Sequence, residues 1–129
     1  MAISNIGPIT VGTSVSLSAG TLNVLSTVLD LRELLNGTVQ FSYQKTAAGA
    51  TTDTLKFYLI GSRDGTNFDN SDVAMKTAVK EYTATVADTA AHVESFPIDA
   101  SAPPYAKLAV LSSVAGTLNG AYLTYKKAR

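Results

Sequence analysis

The sequence predicts an all-β protein, an antiparallel β-sandwich or jelly roll of about eight short strands. Apolar and polar residues alternate in several short runs, and this period of two is that of a strand with one buried face. Turn residues separate the runs at regular intervals, and no long amphipathic helix is indicated. The 129 residues suit a single domain covering 1–129, because two cores of half that size would each bury too little apolar surface.

Two runs of strand character precede residue 35. The first has Gly12 as a candidate bulge or bend, and its alternating apolar positions are Ile9, Val11, Val15 and Leu17. The second run, TLNVLSTVLDLRELL at 21–35, is compatible with two structures. Its β-branched residues favour a strand to about Leu31, whereas the spacing of its leucines also suits a helical stripe, so the helix remains an alternative.

The clearest strand follows a predicted turn at 33–37. Asn36 and Gly37 both tolerate a positive φ, which is typical of a turn. Apolar and polar residues then alternate strictly through 38–44. After a small-residue loop at 46–53, large apolar side chains occupy both faces of 55–60. This predicts a strand in the middle of the sandwich or against a neighbouring subunit.

Four more strands are predicted in the second half of the chain, at 82–87, 92–98, 105–111 and 117–126. Residues 69–81 are compatible with a long loop or one short helix. Pro103 and Pro104 are expected to interrupt pairing before the third of these strands, because neither has an amide hydrogen for a β-ladder.

Charge and cysteine content exclude several classes of function. Ten basic and ten acidic side chains cancel, so the chain lacks the clustered positive charge that nucleic-acid binding needs, and the near-zero net charge favours association between copies. The absence of cysteine excludes disulfides and thiolate metal sites. With no signal peptide and no apolar run able to span a bilayer, we expect a soluble product made in the cytoplasm, with no membrane partner.

The richest group of oxygen ligands lies in RDGTNFDNSD at 63–72. A calcium site there would use the side chains of Asp64, Asn67, Asp69 and Asp72. Their order does not match an EF-hand loop, however. The favoured interpretation is a tight turn at Asp64-Gly65 whose Asn and Asp side chains bind nearby backbone amides.

No catalytic constellation is visible. His92 is the single histidine and has no cysteine or second histidine with which to bind a transition metal, nor a serine in a nucleophile elbow. Two carboxylates facing across a cleft could form a glycosidase site, but the chain has no tryptophan of the kind that stacks on sugars in such clefts. We therefore expect a protein that is not an enzyme and has no cofactor.

Three segments carry a resemblance to a known class of protein: VLDLRELLNGTVQFSYQ at 28–44, TLKFYLIGSRDGTNFD at 54–69 and FPIDASAPPYAKLAVLSS at 96–113. They contain an L-D-L stretch before a strand, a strand ending in S-x-D-G-x-N-[FW], and a proline-containing turn leading into a y-x-k-l-x-v strand. In this order they resemble the small β-sandwich structural proteins of tailed bacteriophages. The S-x-D-G-x-N-[FW] motif also occurs in carbohydrate-binding and discoidin-like sandwiches, where it closes a hairpin.

The resemblance implies a virion component. The leading interpretation is a capsid cement or decoration protein that binds the major capsid protein as a homo-oligomer, with a trimer expected. A tail, neck or baseplate subunit is the alternative within this class. From another class, a carbohydrate- or calcium-dependent binding module using the 61–72 loop remains open.

Candidate interface residues are the tyrosines, which offer large contact area with a polar tip, and the basic end of the chain. They are Tyr58, Tyr105, Tyr122, Tyr125, Lys126 and Lys127. For each tyrosine, packing within the monomer is the alternative. For the lysines, the alternative is a solvated strand end.

Overall fold

A computed structural model describes residues 2–47, 53–69, 79–83, 89–99 and 101–128. Every element in these ranges is a strand. The strands are β1 (Ile3–Leu17), β2 (Leu22–Val24), β3 (Leu29–Asp30), β4 (Leu34–Lys45), β5 (Thr54–Ser62), β6 (Lys80–Thr83), β7 (His92–Asp99), β8 (Tyr105–Ser112) and β9 (Gly116–Ala128). The all-β prediction is confirmed.

The strands form two antiparallel sheets. The first sheet has the order β1-β9-β4-β7, and the second has the order β2-β8-β5-β6, with β3 also pairing with β8. Ile3 pairs with Ala128 and Leu17 with Gly116, so β1 follows β9 along its whole length. Because β9 also pairs with β4, the last strand in the described chain holds a central place in the first sheet.

The core lies between the sheets and contains alternate side chains of both. Its centre is aromatic: the ring centroids of Phe41 and Phe57 are 4.6 Å apart, and those of Phe57 and Phe96 are 5.1 Å apart. These three rings come from β4, β5 and β7 and are almost fully buried. The sheets are therefore joined chiefly by apolar burial, the dominant favourable contribution to folding.

Polar contacts also cross between the sheets. Tyr43 on β4 bonds to Ser112 on β8 inside the core, with 3.0 Å between their oxygens. At the side of the sandwich where β6 and β7 lie, Lys80 Nζ is 2.8 Å from Glu94 Oε1. Near the end of β4, buried Lys45 forms an ion pair with Asp53 at 3.2 Å.

The predicted turn at 33–37 is wrong. The chain turns at Arg32 and Glu33, where Glu33 has a φ of 59°, and Asn36 and Gly37 lie within β4. A Cβ on Gly37 would lie only 2.9 Å from Tyr125 Cβ. Glycine is therefore needed here because two strands approach closely, not because the backbone turns.

Residues 21–35 contain the two short strands β2 and β3 and the start of β4, so the helical alternative is wrong for this segment, and the single strand to Leu31 is interrupted. Between them, the Leu25 amide donates to the Leu108 carbonyl at 2.8 Å, which continues the contact with β8. The bulge predicted at Gly12 is confirmed by a register shift between Thr10 and Gly12. Residues 48–52, 70–78 and 84–88 lie outside the described ranges, and with them parts of the predicted 46–53 loop, of the loop or helix at 69–81 and of the 82–87 strand. At the end of the 69–81 segment, Lys80 and Glu81 belong to β6, so this strand begins earlier than the predicted 82.

Candidate binding surfaces

The loop that follows β5 is closed by its own side chains. Asp64 Oδ1 accepts hydrogen bonds from the backbone amides of Thr66 and Asn67, both at 2.8 Å, and Oδ2 accepts from Asn67 Nδ2 at 2.9 Å. Ser62 Oγ in turn accepts from the amide of Gly65 at 3.0 Å. An antiparallel bridge between Ser62 and Phe68 completes the loop. The S-x-D-G-x-N-[FW] motif therefore closes a hairpin, as its sequence predicts.

These contacts bear on the calcium candidates. The hydrogen bonds from Asn67 and Thr66 hold the pKa of the Asp64 carboxyl well below its ordinary value. Both carboxylate oxygens are thus engaged by the loop itself. Within the described ranges no group of three or more His, Cys, Asp or Glu residues could hold a metal ion, and Asp72 lies outside those ranges. A calcium site using Asp64, Asn67, Asp69 and Asp72 stays a hypothesis.

The outer face of the second sheet is apolar, which is unusual for a sheet surface. Tyr58 and Ile60 on β5 and Ala109 on β8 form a small buried cluster there. Leu22, Leu111 and Phe68 pack around it, and Lys107 Nζ lies 4.5 Å from the centroid of the Phe68 ring. The prediction that both faces of β5 are covered is confirmed. Tyr58 is only 4% exposed because this second cluster encloses it, so the alternative of packing within the monomer applies to Tyr58.

An apolar edge borders this cluster. We use the term apolar edge for residues 22–28, which lie along β8 at the side of the second sheet away from β5. Val24 pairs with Ala109 and is 45% exposed, and Val28 is 43% exposed. Two large apolar side chains thus remain exposed along this side of the sheet, one on β2 and one in the segment between β2 and β3.

The outer face of the first sheet is polar. Its strands present hydroxyl and amide side chains, and some bind one another: Asn119 Nδ2 lies 3.1 Å from Gln44 Oε1 and 3.4 Å from Ser42 Oγ. An open cleft of about 450 Å³ lies on this face, of a size found in small-molecule sites. We call it the Tyr122 cleft, and its lining is Pro8, Thr38, Gln40, Ser95, Tyr122 and Thr124.

The other predicted interface residues are distributed over both faces. Tyr122 is 38% exposed, whereas Tyr125 is 6% exposed, and this burial raises the pKa of its hydroxyl. For Tyr125 the alternative of packing within the monomer therefore applies, since three positions along β9 separate it from Tyr122 and place it on the inner face. Tyr105 is half-buried, with the Arg32 guanidinium 5.1 Å from its ring centroid.

The basic end of β9 is held near an acidic neighbour. Lys126 is exposed and Lys127 half-buried. The bidentate pair of Asp30 with Arg32 is the main cause of the lowered pKa of Asp30, and the positive charge of Lys127 contributes to it. His92 starts β7, opposite Tyr43 of β4, and is half-buried.

Comparisons with known proteins give no family. No protein-family model matches the chain, and no curated protein matches it. Among solved structures, the K3 adhesin domain of Lys-gingipain from Porphyromonas gingivalis is similar at 16% identity and a TM-score of 0.45, over 80% of this chain and 59% of that one. The CBM22-1 xylan-binding domain of Paenibacillus barcinonensis Xyn10C is similar at 14% identity and a TM-score of 0.49, over 91% and 88%.

A chain in the structure of infectious bursal disease virus, Gt strain, is also similar. It is 13% identical with a TM-score of 0.48, and the match covers 98% of this chain and 33% of the viral one. This chain therefore spans less than two thirds of both the adhesin domain and the viral chain. In the described part of the chain, no helix is long and apolar enough to cross a membrane.

Proposed function

We propose that the protein is a non-enzymatic structural component of a tailed-bacteriophage virion, a capsid cement protein that binds major capsid subunits. The observation that carries this proposal is the apolar edge, where Val24 and Val28 are 45% and 43% exposed. A sheet edge carries backbone groups able to pair with another chain, and exposed apolar side chains gain free energy when a partner covers them. The resemblance of 28–44, 54–69 and 96–113 to phage sandwich proteins supports the same role.

A second observation supports the proposal: polar side chains of the loop and of both sheets bond to other parts of the fold. In the loop at 62–68, the Asp64 carboxylate accepts hydrogen bonds from the backbone and side-chain amides of Asn67, so the motif stabilises the fold. Cross-sheet contacts such as Tyr43 with Ser112 and Lys80 with Glu94 stiffen the sandwich. A rigid module with an apolar edge suits a role in which affinity depends on a preformed surface.

The mechanism would be mechanical. A cement protein contacts junctions that exist only in the assembled shell, so it stabilises assembled over separated subunits by mass action. Near-zero net charge permits dense packing of copies. We propose a homo-oligomer, with a trimer as the symmetric arrangement that fits a three-fold lattice position.

The test compares particles with and without the protein during heating, with release of the genome as the signal. We expect particles that carry the protein to release their genome at a higher temperature. Val24→Asp combined with Val28→Asp should abolish particle binding. Val93→Asp is the matched control, because Val93 is 61% exposed but lies on the outer face of the first sheet. Equal thermal stability with and without the protein would remove the cement role.

Cryo-microscopy of the particles separates this proposal from its runner-up. Density for the sandwich on the capsid lattice supports cement function. Density confined to the tail, neck or baseplate would assign the chain to the other structural class. Light scattering of the free protein measures its oligomeric state. A protein that is monomeric both in solution and on the particle would overturn the proposed trimer.

A further inference from the structure

Independently of the proposed cement role, the polar face of the first sheet contains a ring placed for stacking. A Cβ built on Gly120 would lie 2.7 Å from Tyr122 Oη, 2.8 Å from Cε2 and 2.9 Å from Cζ. Such short distances mean that the phenol end of Tyr122 lies down on the backbone at Gly120 instead of standing away from the sheet. With Tyr122 38% exposed, one side of the ring is supported by the strand and the remainder is open to a ligand.

The residues around the ring define the chemistry of the ligand. Beside the Tyr122 ring, the Tyr122 cleft is lined by hydroxyl and amide side chains and one proline, and none of the described residues that line it is charged. In the described part of the chain, the side chains of Thr38, Gln40 and Ser95 have no hydrogen-bond partner. By contrast, the neighbouring Asn119 side chain donates a hydrogen bond to Gln44. In this lining an ion would find no opposite charge, and a purely apolar partner would leave these polar groups unpaired.

We propose that the Tyr122 cleft binds a neutral saccharide. A pyranose ring has an apolar face of C–H groups, which can lie on the open side of the Tyr122 ring, and a rim of hydroxyls. Those hydroxyls would exchange hydrogen bonds with Gln40, Thr38 and Ser95. The cleft volume of about 450 Å³ suits one or two sugar units with the rest of the chain in solvent. This site lies on the opposite sheet from the apolar edge and apart from the 61–72 loop.

The test is a titration of the isotopically labelled full chain with cellotriose, maltotriose and chitotriose, followed by backbone amide shifts. We expect one or more of these neutral trisaccharides to bind with a Kd of about 1 mM. The shifted amides should be those of residues 38–40, 95 and 122–124. No shift with any probe at about 10 mM, or shifts confined to 61–69, would overturn the proposal.

Variants then test the stacking geometry. Tyr122→Ala should weaken binding roughly tenfold, whereas Tyr122→Phe should keep it, because the ring face and not the hydroxyl makes the contact. Gly120→Ala keeps every lining side chain but lifts the ring off the strand, so it too should weaken binding. Tyr105→Ala is the aromatic control on the other sheet and should leave the Kd unchanged. Unchanged binding in Tyr122→Ala, with the fold verified by its amide spectrum, would refute the site.

Discussion

The buried hydrogen bond between the two sheets offers a sharp test of the packing. Tyr43 Oη lies 3.0 Å from Ser112 Oγ, with Tyr43 2% and Ser112 0% exposed. Ser112 Oγ also lies 2.6 Å from the carbonyl oxygen of Val114, which can only accept. The serine proton is therefore directed to Val114, and Tyr43 donates its proton to the serine oxygen.

This assignment makes the two single variants unequal. Tyr43→Phe removes the donor but leaves Ser112 bonded to Val114, so it should lower the free energy of unfolding by about 1 kcal/mol. Ser112→Ala leaves the Tyr43 hydroxyl buried without its acceptor and should cost about 2–3 kcal/mol. In the double variant the orphaned hydroxyl is gone. Its cost should therefore be about 2 kcal/mol and not the sum of roughly 3–4 kcal/mol.

The measurement is urea denaturation of the four proteins, followed by far-ultraviolet circular dichroism. Equal slopes against urea are required, because a changed slope would report a change in exposed surface and not in stability alone. Additive costs, within about 0.5 kcal/mol, would show that the two side chains do not interact. A larger loss in Tyr43→Phe than in Ser112→Ala would refute the direction of the bond.

Three further predictions follow from the core, the close strand approach and the hairpin loop. Phe41→Ala should lower the free energy of unfolding by about 4 kcal/mol, measured by urea denaturation, because Phe41 is 1% exposed and contacts other rings. Gly37→Ala should cost about 1–3 kcal/mol in the same assay through crowding against Tyr125, whereas Asn36→Ala on the exposed side should be near neutral. The folded pKa of Asp64 lies below its ordinary value of 3.8, so its contribution to stability is present above that pH and is lost on acidification. The melting temperatures of wild type and Asp64→Ala should therefore differ at neutral pH and converge toward pH 2.

Each of these has a contrary outcome. A loss of less than about 1 kcal/mol in Phe41→Ala would mean that the aromatic centre is not packed as described. Equal effects of Gly37→Ala and Asn36→Ala would argue against the close approach of β4 and β9. A constant difference in melting temperature between wild type and Asp64→Ala from neutral pH to pH 2 would show that the carboxylate bonds do not stabilise the loop.

Local patterns in the sequence predicted most strands because the alternation of side chains follows directly from burial of one face. The strand at 55–60 is the best example, since its apolar residues at both parities indicated two covered faces. The prediction of a turn at Asn36-Gly37 is wrong for a non-local reason. β4 pairs with β9 on one side and β7 on the other, and these ladders extend the strand through a dipeptide that favours turning in isolation.

The candidate surfaces were less accessible to sequence reasoning. Strand parity could have separated Tyr122 from Tyr125, because positions three apart on a strand face opposite sides. The burial of Tyr58 agrees with the prediction that both faces of 55–60 are covered, but the sequence does not indicate which residues cover it, since Leu22 comes from a distant segment. The position of the Tyr122 ring over Gly120 likewise depends on the three-dimensional structure, although a glycine two positions before an aromatic residue on one strand is a visible signal.

The place of β9 between β1 and β4 has a consequence for biogenesis. In the described part of the chain the fifteen-residue strand β1 pairs only with β9, so it lacks its sheet partner while the ribosome is still making the chain. Only when residues 116–128 emerge can the first sheet close, and such sequence-distant pairing is slow. The nascent protein therefore exposes an unmatched ribbon until synthesis of this segment is complete, a period in which chaperones or sister chains can capture it.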